Sequence, residues 1–216
     1  MSDIQPAKGP PQRIVLEGRY TRLEPIGPQH VADLFDAAEA DPSRFDYLFD
    51  EPPHNEEELA RWVIVAASKD DPLMWAVIDK TTGRAEGRQT LMRIVPEHGV
   101  IEIGNIYWGP KLARTRVATE ALFLHAKYVF DELGYRRFEW KCNDRNEPSK
   151  AAALRFGFQF EGIFRQHMIQ KGLNRDTAWF AMLDKDWPRL RAEYERWLAP
   201  ENFGTDGIQK SPLRFG

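Results

Sequence analysis

The sequence predicts a mixed α/β fold of the α+β kind, a mostly antiparallel sheet with helices on both faces. Three observations predict it. Two helical patterns lie early in the chain, and a run of strands joined by short turns follows them, which favours antiparallel neighbours. One strand–helix–strand crossover occupies the middle of the chain, and a hairpin and a closing helix complete it. A doubly wound parallel fold would alternate strand and helix throughout and carry a Gly-rich fingerprint or a Walker loop. Neither motif is present.

In chain order, residues 1–12 are polar and Pro-rich and read as a flexible arm. Residues 13–25 alternate around Val15, Tyr20 and Leu23, a strand pattern that Pro25 ends. Pro28 opens a helix to about Ala40 with Val31, Leu34 and Phe35 on one face. Residues 41–54 are irregular. Asn55 is placed to cap a helix to about Lys69, with Glu56, Glu57 and Glu58 favourably in its first turn. Strands are expected over 74–79, 87–95 and 100–108, the last two joined by a turn through Pro96 and Gly99. A helix over 116–133 stops at Gly134 in the left-handed position that glycine tolerates. A strand over 136–142, a short helix over 146–156, and strands over 158–170 and 177–183 follow. The last two are joined through Lys171-Gly172. A helix over 186–198 closes a single domain spanning 13–198, and 199–216 read as a polar tail.

Composition narrows the function. The net charge is −3 from 30 basic and 33 acidic residues, so nothing indicates general affinity for DNA. The one cysteine, Cys142, allows no internal disulfide and fits a reducing compartment. No stretch reaches the ~20 apolar residues needed to cross a membrane, and the N-terminus lacks a secretory pattern. A cytoplasmic protein is the expectation. No His, Cys and carboxylate cluster has metal-ligand spacing, so no metal is expected.

Two segments carry chemistry. In the first, a strand ends at Trp108, an Arg-bearing loop follows, and a helix begins with Thr115 as a candidate cap. The amides of Arg116, Val117 and Ala118 would then lack helical partners and could receive phosphate, with Arg114 and Arg116 adding charge. Arginine opposes the helix dipole in a first turn, which favours an anionic ligand there. Taken alone, the segment is equally an ordinary capped helix. The second segment is Asn143-Asp-Arg-Asn-Glu-Pro-Ser-Lys150, just after the next strand. Asn146 can cap the helix, and Ser149 would face back toward the strand ends; a plain cap and a solvated serine are the alternative.

Together the segments resemble the GNAT superfamily, most closely its RimJ/RimL-like branch of ribosomal-protein N-terminal acetyltransferases. The resemblance is carried by Glu102-Ile-Gly-Asn-Ile-Tyr-Trp108, Ala118-Thr-Glu-Ala121, Phe130 with Leu133-Gly134, Asn146 and Ser149, Phe156-Gly-Phe158, Glu161-Gly162, Arg165 and Asp176. It covers residues 14–187. It implies a GNAT-like sheet with one splayed parallel strand pair, formed by 100–108 and 136–142, and an acetyl-CoA site between those strands. Backbone groups of Ile106, Tyr107 and Trp108 would pair with the pantetheine arm. Arg114, Thr115, Arg116, Val117, Ala118 and Thr119 would hold the pyrophosphate, and Asn146 and Ser149 would flank the thioester. The family's loop reads Gln/Arg-x-x-Gly-x-Gly/Ala, whereas here the register is Ala113-Arg-Thr-Arg-Val-Ala118. Arg116 stands for the glycine. Helical φ does not require glycine, so the amide cradle is expected to survive, with Arg116 supplying charge.

The implied reaction is N-acetylation of a primary amine, on a protein N-terminus or a small molecule, by direct attack on the thioester. The alternative is a module that binds CoA or another phosphate ligand without turnover. Ser149 is the candidate proton donor to the leaving thiolate. Glu102 is the candidate base; strand alternation puts it on the face of Gly104, Ile106 and Trp108 unless a bulge intervenes, and a plain ion pair is the other reading. Asp176 could orient the acceptor or form a structural pair. His167 reads as hydrogen-bonded within its strand, and Glu161 as support for a turn. Tyr47, Phe49, Trp75, Arg88 and Trp179 are candidate walls of the acceptor pocket. Cys142 alternates with core residues and is not read as a nucleophile. A homodimer is also implied, with the aromatic C-terminal region as its candidate interface.

Overall fold

The computed structural model describes residues 4–215. Among them are eight strands, β1 (Leu16–Glu17), β2 (Thr21–Pro25), β3 (Leu73–Asp79), β4 (Arg84–Val95), β5 (Val100–Trp108), β6 (Arg137–Asn143), β7 (Gln159–Gln170) and β8 (Leu173–Leu183). The α-helices are α1 (Val31–Ala40), α2 (Glu56–Ala67), α3 (Arg116–Lys127), α4 (Glu147–Arg155) and α5 (Trp187–Leu198). The strands form one sheet in the order β1-β2-β3-β4-β5-β6-β8-β7. Every neighbouring pair is antiparallel except β5 and β6.

Alternation in the strands sorts side chains between two faces. Trp75, Val77, Leu91, Ile101, Ile103, Phe138 and Phe180 pack on α3 and α5, through Ala121, Leu122, Tyr194 and Trp197. Met74, Ala76, Ile78 and Ala85 pack on α1 and α2, through Val31, Leu34, Leu59 and Val63. The expected caps are present: Asn55 accepts from the amide of Glu58, and Thr115 from that of Ala118. The helix expected to reach Leu133 is α-helical only to Lys127, and Tyr128–Glu132 widens into a π-turn. Gly134, at φ 72, then reverses the chain. β8 begins four residues earlier than the sequence pattern suggests, because Lys171 (φ 49) and Gly172 (φ 75) make a two-residue hairpin turn and pairing starts at Gln170↔Leu173.

Both ends of the chain are more ordered than composition implied. Of the expected flexible arm, Met1–Asp3 lie outside the described residues. From Ala7 onward the segment is tied down: Ala7 donates to Pro96 O, Lys8 to Leu133 O and Gln12 to the Tyr128 hydroxyl, while Gly9 accepts from Tyr135. The tail, whose last residue Gly216 is also outside the described residues, folds back. Phe203 and Leu213 are buried, and Gln209 bridges to Phe203 and accepts from Trp197. The C-terminal aromatics Trp187, Tyr194, Trp197 and Phe203 are all buried within the chain. No helix among the described residues is long and apolar enough to cross a membrane.

Candidate active site

β5 and β6 are paired only from Val100↔Arg137 to Ile103↔Trp140. Beyond that point they part. The divergence coincides with a bulge in β5, where Asn105 and Ile106 oppose the single residue Gln89 of β4 and Asn105 takes φ 46. Side chains of β4 hold the bulge. Arg88 Nη1 donates to Asn105 O at 3.2 Å, and Gln89 Oε1 accepts from Trp108 Nε1 at 3.2 Å. A cleft of about 1390 Å³ opens between the strands, above the ~300–1,000 Å³ usual for small-molecule pockets. The strand edges that face each other across it have lost their ladder partners; the carbonyls of Asn105 and Trp108 accept from Arg88 and Arg44, and the other edge groups are open to an extended ligand.

One end of the cleft is the N-terminus of α3. The loop before it is seated by Gly109, whose amide donates to Glu86 O at 2.8 Å; a Cβ there would lie 2.8 Å from the same oxygen. Arg114 takes left-handed backbone at φ 66, and Thr115 begins the helix. Thr115 Oγ1 takes the Ala118 amide at 3.3 Å. Among the described residues nothing accepts from the amides of Arg116 and Val117. The first turn of α3 therefore presents two free amides on a helix dipole where the sequence led one to expect a phosphate cradle. Arg116 does not point a bare charge at it: its guanidinium lies over the rings of Tyr20 (4.3 Å) and Phe203 (5.2 Å). Arg155 is a nearby cation that sequence reading missed. It donates to Thr119 Oγ1 at 3.2 Å and lies over Trp197 and Phe156. The returning tail adds Gly207, Ile208 and Gln209 to this end of the lining.

The middle of the cleft is flanked by α4. Asn146 Oδ1 accepts from the Ser149 amide at 3.1 Å, and Ser149 Oγ accepts from Trp140 Nε1 at 3.0 Å. The indole fixes the serine oxygen and leaves the hydroxyl proton to be given. Cys142 lies beside it with its thiol pushed up by burial, which suits the core role read from its alternation.

On the α1/α2 side of the sheet the bulge changes the expected geometry. Glu102 does not share a face with Ile106 and Trp108, which pack with α3. The extra residue reverses the alternation, so Glu102 and Gly104 share the opposite face with Tyr107, whose buried hydroxyl donates to Ala37 O at 2.6 Å. Glu102 is 5% exposed and bonded to Lys141 Nζ at 2.8 Å, with Arg93 Nε at 3.4 Å. Burial raises its carboxyl above the ordinary range and the two cations oppose that. The chain of charge continues from Lys141 to Glu139 (2.6 Å), to Arg137 (2.6 Å) and to Glu161. Glu161 is thus an ion-pair partner rather than support for a turn. His167 Nδ1 meets Thr177 Oγ1 at 3.0 Å, across the hairpin. Burial first, and then Arg93, Arg175 and Lys141, lower its pKa and favour the neutral ring.

Of the candidate site residues, Glu102, Ile106, Tyr107, Trp108, Arg114, Thr115, Arg116, Ala118, Thr119, Asn146 and Ser149 line one cleft; the side chain of Val117 packs in the core, leaving only its amide at the helix end. Of the candidate acceptor walls, Tyr47 and Phe49 line it. Trp75 is core, fully buried, with its indole on Ile14 O. Arg88 lies behind, ion-paired to Asp50 under the Trp62 ring. Trp179 carries Lys141 Nζ 3.9 Å from its ring centroid. Asp176 lies within β8, its carboxylate accepting from Gln166 N at 2.7 Å and Asn174 Nδ2 at 2.9 Å. Sequence reading passed over Arg93, Lys141 and Arg175. Arg175 alternates with Thr177 and Trp179, a signal visible only once β8 is carried back to Leu173.

A family model described as the acetyltransferase (GNAT) domain matches residues 21–159. The crystal structure of a GCN5-related N-acetyltransferase from Brucella melitensis superposes with a TM-score of 0.95 at 55% identity, covering 98% of this chain and 96% of that one. The ribosomal-protein-S5-alanine acetyltransferase from Vibrio fischeri shares the fold alone, with a TM-score of 0.64 at 14% identity over 81% of this chain and 98% of that one. Among curated proteins, the N-acetyltransferase YoaA of Bacillus subtilis (strain 168), named as uncharacterized, is 29% identical over 111 residues, which are 51% of this chain and 62% of YoaA. The chain thus spans less than two thirds of the length of the curated relatives it matches. On the family match, the chain belongs to the GNAT family of acetyltransferases.

Proposed function

We propose that the chain transfers an acetyl group from acetyl-CoA to a primary amine by direct attack on the thioester. The observation that supports this most is the parted β5–β6 pair. It offers free backbone edges between a phosphate-accepting helix end and a charged chamber on the opposite side of the sheet. In this reading the pyrophosphate rests on the amides of Arg116 and Val117, with Arg114 and Arg155 nearby, and the pantetheine arm runs along Ile106, Tyr107 and Trp108. The thioester carbonyl lies by Ser149, where a β5 amide serves as the oxyanion donor.

Nitrogen attacks the thioester carbon, the C–S bond breaks, and the Ser149 hydroxyl gives its proton to the leaving sulfur and regains one from the attacking nitrogen, which sheds its second N–H proton to become the amide. The amine reaches the site charged, since its reference pKa is ~10.4, and must lose a proton first. Glu102 is committed to Lys141 and Arg93. His167 faces the same chamber as a neutral ring, so the amine's proton is assigned to it. A panel of primary amines with acetyl-CoA, read by release of CoA thiol, tests the reaction; CoA should also raise the melting temperature, because ligand on the native state adds stability. His167→Gln should lower turnover more than Glu102→Gln. Silence across the panel with CoA bound would leave a CoA-binding module in place of an enzyme.

A further inference from the structure

In the chamber on the α1/α2 side, Arg175 has no ion-pair partner among the described residues, Glu102 acting on it only at longer range. Arg175 is 7% exposed. Its Nε donates to Thr177 Oγ1 at 3.2 Å and its guanidinium lies 5.3 Å from the Phe49 ring. No carboxylate among the described residues comes within the 4.0 Å of an ion pair. The acidic groups around it are committed elsewhere. Asp50 pairs with Arg88 and Glu51 with Lys171. Glu102 pairs with Lys141 and Arg93, and Asp176 accepts from Gln166 N and Asn174. The run Arg93, Glu102, Lys141, Glu139, Arg137, Glu161 alternates in sign and is neutral as a set. Arg175 is therefore an uncompensated positive charge in the wall of the cleft.

Burying a charge without a partner is costly, and natural chains rarely leave one so unless something outside the chain completes it. Only the Nε–H of Arg175 is spent within the protein. The Nη groups are not among the buried polar atoms that lack a partner, as expected if the cleft reaches them. A planar guanidinium with both Nη groups free matches a carboxylate in the bidentate geometry that arginine favours. The excess is one charge, which one carboxylate neutralises. Arg175 lies by the Phe49 ring, pairs in register with Met168 and acts on His167, so an anion it holds would lie near the histidine assigned the amine's proton.

We propose that the acceptor is an amino acid or a similar small molecule in which the reacting amine and a carboxylate are separated by few bonds, the carboxylate being held by Arg175. This rests on the acetyl-transfer reading above. It also assigns Arg175 as a specificity residue: it anchors the substrate, while His167 handles the proton.

The test is a matched panel. Each amino acid is compared with its α-carboxamide and its decarboxylated amine, at saturating acetyl-CoA, by kcat/KM. The carboxylate form should be preferred by at least about tenfold, a contrast that desolvated charge pairs readily supply. In Arg175→Gln that preference should collapse mainly through KM, and in Arg175→Lys part of it should return, with melting temperatures of the variants checked alongside. Equal use of acid, amide and amine would overturn the proposal and leave acetyl transfer standing. So would turnover confined to peptides, a separate arm of the panel, since an acceptor of that size is not the molecule proposed. Silence for every acceptor with CoA bound would overturn both readings.

Discussion

Ser149 is legible in the sequence through its spacing from Asn146, but its local geometry is not. The structure adds Trp140, whose indole donates to the serine oxygen at 3.0 Å, so the hydroxyl keeps its own proton as the one it can give. If it protonates the leaving sulfur, Ser149→Ala should lower kcat on the order of 10²-fold, the lower end of general-acid effects, while the melting shift with CoA persists. Unchanged kcat would remove the proton-donor role and leave the cleft intact. Glu102 shows where reading at this scale stops. Its identity was visible, yet its face was not, because that depends on Asn105 at φ 46, and a non-glycine bulge has no reliable signature in one sequence. Arg175 was hidden for a different reason. Its partner is missing, and an unpaired charge is a property of the surroundings rather than of a motif.

At the scale of elements, α3 does two jobs with its first two turns. Its N-terminal amides face the cleft. A turn further on, Glu120 reaches the other way, accepting the amides of Arg19, Tyr20 and Thr21 at 2.8, 2.6 and 2.7 Å. That carboxylate is 4% exposed and takes the place of ladder partners for the β1–β2 turn; Gly18 leaves it room, since a Cβ there would lie 2.5 Å from Glu120 Oε2. The end of α3 that borders the cleft is thus anchored to the edge of the sheet. Glu120→Ala should strand those amides and cost about 3 kcal/mol, a figure set by charge-assisted hydrogen bonds left unmade. Chemical denaturation measures it. A loss below ~1 kcal/mol would mean that water replaces the carboxylate and the anchor is not needed.

For the whole molecule, the strand expected over 13–25 is two, β1 and β2, whereas the order of elements from α1 onward, the strand–helix–strand crossover and both chemical segments could be read from patterning, capping and turn residues. The ends of the chain could not. Residues 7–12 and 199–215 lack periodicity; the first are held by partners about a hundred residues away, such as Tyr128 for Gln12, and the tail folds back on α5, as in Gln209 on Trp197 and Arg214 on Glu193. Long-range burial also gives the fold a pH dependence that no motif announces. His125 of α3 is fully buried, edge-on to Trp75 at 4.8 Å, with Nδ1 3.0 Å from Gln89 Nε2 and no partner for Nε2 among the described residues. Burial pushes its pKa down to about 3, against ~6.5 in an unfolded chain. Between those values the unfolded state binds a proton that the native state refuses, so stability falls as pH falls. The contribution is complete above the unfolded pKa and should decline by ~1.4 kcal/mol per pH unit below it. His125→Gln keeps a polar side chain that does not titrate, so its acid limb should be shallower than that of the parent by about that slope. Unfolding free energies by denaturant at pH 7, 6, 5 and 4 give the comparison. Carboxylates titrate in both proteins and cancel in the difference. Parallel curves would mean that the histidine takes up its proton in the native state, with α3 yielding enough to let water reach it.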